Sequence, residues 1–377
     1  MRFLIGGRVR FLVLLAVMVA AVAALPAGAT VSGTNGKIVF GFGDVFTINP
    51  DGTQVHQLGV PRSTGCTSWS PDRSKILCNV FGENGPQPAT ANPDGSDFTY
   101  LNTNLPLDLF CLFWSPDGTR LLCHSEGIAS PADAGLYTVR SSDAGDLVRV
   151  TATPPDGFDN GYGYSPDGSR ILYAQFANGH GTLFSVKPDG SDPVQLSPPA
   201  LSVIDLGFFD RVGADWSPDS SRVAFAAFDE SSRSLATGLF VVNADGTGLH
   251  QIAPSALGAL SAQWSPNADL IAFTSCTSPR NCGAFTTCTS PKNCGIPQAW
   301  VVHPDGTALR QVTPPVDGAI FWTPVWSPDS TKLLIDREDL HNHQTSLWTV
   351  SSDGSQLAKL TDTEGLTTYA WGSAPPD

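Results

Sequence analysis

Two short motifs recur along this chain, and their period constrains the fold more than any other feature. The first is an aromatic-Ser-Pro-Asp type turn. It stands at Trp69, Trp114, Tyr164, Trp216, Trp264 and Trp326, with a degenerate copy at Trp371-Gly372-Ser373. Taking its serine at 70, 115, 165, 217, 265, 327 and 373, the steps are 45, 50, 52, 48, 62 and 46 residues. The second motif is a β-rich run ending in Asp-Gly, at Asp51, Asp94, Asp189, Asp245, Asp305 and Asp353, with a degenerate copy at Asp143. Such a period is that of one four-stranded propeller blade. Pro presets φ, Asp bonds its own backbone and Gly accepts positive φ, so both motifs read as tight turns between strands. Around them lie strands such as Arg170–Gln175 and Thr182–Lys187, and no stretch after the leader keeps a helical apolar stripe for three turns.

The predicted fold class is therefore all-β, a seven-bladed β-propeller of four-stranded antiparallel blades. The repeat begins midway, at Lys37–Phe42, and ends just after Trp371. The C-terminal strand is thus expected to complete the N-terminal blade and close the ring.

This grammar resembles the TolB-like propeller repeat, over roughly Gly36–Ser373. The resemblance implies a role at the cell envelope and, for TolB itself, six blades behind an α/β domain. The present chain counts seven blades and has no room for the extra domain.

Residues 1–29 read as a signal peptide: Arg2, Arg8 and Arg10, then the apolar run Phe11–Leu25, then Ala27-Gly28-Ala29. An uncleaved anchor is the alternative. Residues 30–36 form a short lead, 37–373 the propeller and 374–377 a tail. Loss of the three leader arginines takes the formal charge from −14 to −17. Lys and Arg form no stripe, which argues against nucleic acid and anionic membranes as partners. A monomer is expected, secreted or held in the envelope.

Eight cysteines in an exported chain point to disulfides. Cys66 and Cys78 lie symmetrically about the turn residue Asp72, and Cys111 and Cys123 lie likewise about Asp117. Each pair is expected to bridge one hairpin. Cys276, Cys282, Cys288 and Cys294 occupy a local duplication within an insert, 276–297, in blade six. Two small bridges, a nested pair or a zinc site all fit their spacing.

No nucleophile elbow, phosphate loop or dinucleotide fingerprint occurs, and no cofactor is expected. The longer loops should gather on the face opposite the Ser-Pro-Asp turns. The candidate binding residues Phe158, Asp159, Phe208, Phe209, Asp210, Arg211, Phe321 and Trp322 are placed there, facing an envelope or extracellular protein or a glycan. His124, His180, His341 and His343 share that face. They are the weak metal-ligand candidates for the alternative function, a metal-assisted polysaccharide lyase or hydrolase.

Overall fold

The computed structural model describes residues 32–83, 85–101, 108–127, 130–204, 213–232, 236–276, 297–314, 318–363 and 368–374. The leader, Phe208 to Arg211, and Cys282, Cys288 and Cys294 lie outside these residues. Seven antiparallel sheets form a ring, six of them built from consecutive strands and one from the last described strand with the first three. The first strand of every blade touches the first strands on either side, so these strands surround the central axis. Apart from two short 3₁₀ turns, the regular structure described is all strand.

The ring closes as expected. Tyr369–Ser373 is the first strand of the blade whose others are Asn35–Phe40, Phe46–Ile48 and His56–Gln57. Ile38 pairs with Trp371 and Phe40 with Tyr369. The indole of Trp371 donates to the Gly36 carbonyl at 3.1 Å. Elsewhere the motif aromatic likewise pairs with an apolar residue of the second strand, as in Trp69 opposite Ile76 and Trp114 opposite Leu121. Trp371 is therefore the true motif aromatic, and its following residue Gly372, not Ser373, takes the place of the motif serine. A Cβ on Gly372 would come within 2.8 Å of the Trp69 ring, so glycine is needed for that close approach.

The core is a set of clusters between blades rather than one interior. Leu172 and Leu183 of blade four, for example, pack against Trp216 and Phe225 of blade five. Each blade buries its two faces against its neighbours, which explains why alternation of apolar and polar residues is weak in the second strands. Blade five differs in its first strand, which is split into Leu201–Val203 and Ala214–Trp216. Both parts pair with Arg222–Asp229.

The first strands also carry a recurrent irregularity. The register slips between Cys66 and Ser68, Cys111 and Phe113, Gly161 and Gly163, and Trp322 and Val325. An extra residue on one strand bends it and raises its twist. In blades two and three the slip also aligns the cysteines. Counting regularly from the Trp69–Ile76 pair would set Thr67 opposite Cys78; the extra residue puts Cys66 there instead. Both bridges, Cys66–Cys78 and Cys111–Cys123, are formed, with Cα atoms 3.9 and 3.8 Å apart. Cys276 is disulfide-bonded too, which removes it as a zinc thiolate. Its partner lies outside the described residues.

Candidate binding site at the channel mouth

The site begins with the turns. In blade two Ser70 Oγ donates to Asp72 Oδ1 at 2.6 Å, and Asp72 Oδ1 in turn accepts the Ser74 amide at 3.1 Å. Ser70 Oγ accepts the Lys75 amide at 2.9 Å. The same network recurs at Ser115, Ser165, Ser217 and Ser327, and blade six uses Asn267 in place of the aspartate. Donation from Ser217, first among several hydrogen bonds, holds the Asp219 carboxyl down at about 2. The Asp-Gly turns work alike, with Asp51 accepting from the Thr53 side chain and amide. In an up-and-down blade both turn types fall on one face.

At the centre of that face the channel opens into a cavity of about 390 Å³. Six motif aromatics line it, Trp69, Trp114, Tyr164, Trp216, Trp264 and Trp371, together with the turn prolines that follow five of them. The repeat itself thus builds the cavity, because each blade contributes its motif aromatic at the same height. Blade seven is the exception. Its Trp326 is fully buried, with its indole donating to the Gln263 carbonyl at 3.0 Å, and it does not reach the cavity wall.

Two charged residues stand on the wall, Arg73 and Asp215. Arg73 hydrogen-bonds to the Ser373 hydroxyl. Asp215 precedes the motif aromatic of blade five and is only 6% exposed. One carboxylate oxygen accepts the Trp264 amide of blade six at 2.8 Å. Burial pushes this carboxyl up to about 7 against the pull of the Trp264 and Trp216 amides. The indole nitrogens of Trp114, Trp216 and Trp264 are buried with no hydrogen-bond partner among the described residues, which is costly for polar groups.

The residues expected on the opposite face are placed differently. Asp159 is fully buried in the strand Gly157–Tyr164, where it accepts Thr151 Oγ1 at 2.6 Å, Thr153 Oγ1 at 2.9 Å and Gln175 Nε2 at 3.1 Å. It ties blade three to blade four and is no surface acid. Phe321 is fully buried in the cluster between blades six and seven. Phe158 is half-buried and stacks on Phe176, centroids 4.6 Å apart, and Trp322 is half-buried in the strand Ala319–Trp326. These residues lie in strands and not in loops because the first strands run several residues further back than the turn motif suggests.

The histidines do not converge. His124 is buried inside the strand Arg120–Ser125. His180 pairs with Glu230 at 2.9 Å, His341 with Asp339 at 3.3 Å and His343 with Glu338 at 3.0 Å. Among the described residues no group of three or more His, Cys, Asp or Glu side chains is placed to hold a metal. The channel mouth carries no separate signal in the sequence because its residues are the repeat motif itself, whose turn chemistry is a sufficient local explanation.

No protein-family model matches the chain. No curated protein matches it either. Solved structures do. The chain is similar to oligogalacturonate lyase from Vibrio parahaemolyticus, at TM-score 0.62 and 12% identity over 87% of this chain and 90% of that one. It is similar to TolB from Acinetobacter baumannii, at TM-score 0.52 and 14% identity over 92% of this chain and 82% of that one. A third likeness is to the β-propeller domain of the Trilobed protease from Pyrococcus furiosus, at TM-score 0.57 and 12% identity over 89% and 98%. That domain is described as having an open velcro topology, whereas the present ring is zipped by the strand Tyr369–Ser373. At such identities the likeness is one of fold, and the fold of this chain is that of a TolB-like β-propeller.

Proposed function

We propose that this protein is an exported binding module that takes its partner, an envelope or extracellular protein or a glycan, at the channel mouth on the Ser-Pro-Asp face. The observation that carries the reading is the cavity of about 390 Å³, walled by aromatic rings from six blades. Concave sites of this size with few polar groups are where ligands bind, and indole faces suit both sugar rings and peptide side chains. Disulfides in three places support an oxidising compartment. The metal-assisted lyase or hydrolase has no comparable cluster behind it among the described residues.

The test is a paired glycan and peptide array probed with the wild-type chain and with Trp114→Ala, a half-buried wall position. The expected result is a set of spots bound by wild type and lost in the variant, with the variant still showing a cooperative thermal transition at a lower temperature. Equal retention by both proteins, or no retained spot at all, would overturn the placement of the site.

A further inference from the structure

Resting on that placement, we infer that the cavity selects a partner segment carrying a basic side chain, whose cation is received by Asp215 among the indole rings. Asp215 is the one carboxyl on the wall. Its structural task is to accept the backbone amide of the next blade's tryptophan. At the following junction Gln263 performs the same task with a neutral side chain, accepting the Trp326 amide at 3.0 Å. Bridging blades therefore requires an acceptor and not a charge. A carboxyl at Asp215 is more than bridging needs, and it stands at the one of these two junctions that opens on the cavity, where an incoming cation would favour its ionised form against the burial that raises it.

The wall also carries the Arg73 guanidinium, held against the Ser373 hydroxyl, so a cation is received on the Asp215 side, and three further features favour it there. Aromatic faces attract cations through their quadrupoles, more strongly where water is excluded. The fold already uses one of these rings so: the Arg222 guanidinium lies 4.9 Å from the Trp264 ring centroid. Around the mouth, each blade presents turn carboxylates, while Lys75, Arg120, Arg140 and Arg170 are paired with Asp97, Asp146, Asp143 and Asp192. Such a rim steers positive groups inward. The cavity volume exceeds what an alkylammonium fills, so the occupant is a stretch of polypeptide rather than a free amine.

The probes are acetyl-Gly-Lys-Gly-amide, its norleucine counterpart, n-butylammonium and cellobiose, with binding read by quenching of tryptophan fluorescence. The Lys peptide should bind about tenfold or more tightly than the norleucine peptide. It should also bind more tightly than n-butylammonium. In Asp215→Asn, which keeps an acceptor for the Trp264 amide, the preference for Lys over norleucine should vanish. Equal binding of the two peptides by wild type overturns the inference without any variant, so a poorly folding Asp215→Asn does not rescue it. Butylammonium binding as tightly as the peptide overturns the polypeptide occupant. Cellobiose binding without a Lys preference sinks the inference but leaves the cavity as a glycan site. No binding by any probe overturns the inference and counts against the cavity as a site.

Discussion

Aspartates at the turns and in the core show how strongly position decides the behaviour of one residue type. The turn aspartates lie near the surface, accept several hydrogen bonds and are held below the usual carboxylate range, as at Asp72 and Asp117. Asp336 is fully buried, and burial with Glu338 nearby pushes it up to about 8 against the pull of the Arg337 amide. Unfolded, it would ionise near 3.8. Its contribution to stability is thus full below about pH 4 and is lost as pH rises toward 8, because only the unfolded chain releases the proton. Asp336→Asn should unfold at higher urea than wild type at pH 8.5, by a few kcal/mol on the order of 1.4 kcal/mol per pH unit separating the two states. That advantage should shrink toward pH 4; a gap independent of pH would show that Asp336 does not titrate as its burial implies. At this scale the turns were legible in the sequence because a Ser-Pro-Asp network is local. One detail was not. The residue after the turn Asp or Asn is left-handed even where it is no glycine, at Arg73, Ser220, Ala268 and Ser330, with φ between 60° and 65°. The surrounding hydrogen bonds hold the strained conformation in place.

At the scale of the strand and hairpin, the paired cysteines carried more information than their number. Their spacing about Asp72 and Asp117 announced two cross-hairpin bridges, and both are present. It also held the trace of an extra residue in the first strand, which becomes readable only once the register is seen. Closing a loop of this size should stabilise by about 2–3 kcal/mol. The double variant Cys66→Ala/Cys78→Ala should lower unfolding stability by roughly that amount, measured by urea titration, and an unchanged midpoint would assign the stability of blade two to packing alone. The starts of first strands were less legible. Phe158, Asp159 and Phe321 sit upstream of the motif in segments rich in Asp, Gly and Pro, which locally resemble loops. Their strand character comes from pairing with the second strand, a long-range effect.

For the whole molecule, stability is shared around a closed ring, since every core cluster needs two adjacent blades. The seam depends on Tyr369 and Trp371, both buried, with the Tyr369 hydroxyl donating to the Thr323 carbonyl of blade seven at 2.6 Å. Deleting the chain from residue 369 onward would expose the edge of Asn35–Phe40 and remove both aromatics from the cluster they share with Ile38, Val325 and Leu347. The truncated chain should lose its cooperative thermal transition; a transition within a few degrees of wild type would mean that the other six junctions suffice. Repeat period, turn chemistry and strand count are properties of neighbours in sequence, so the amino-acid order alone determined seven blades, their turns and the closing strand. The cavity, the burial of Asp215 and Asp336 and the fate of the loop aromatics depend on residues brought together from opposite ends of the chain. Burial, desolvation and enclosure arise only when the ring is assembled, and for that reason only the tertiary structure decided them.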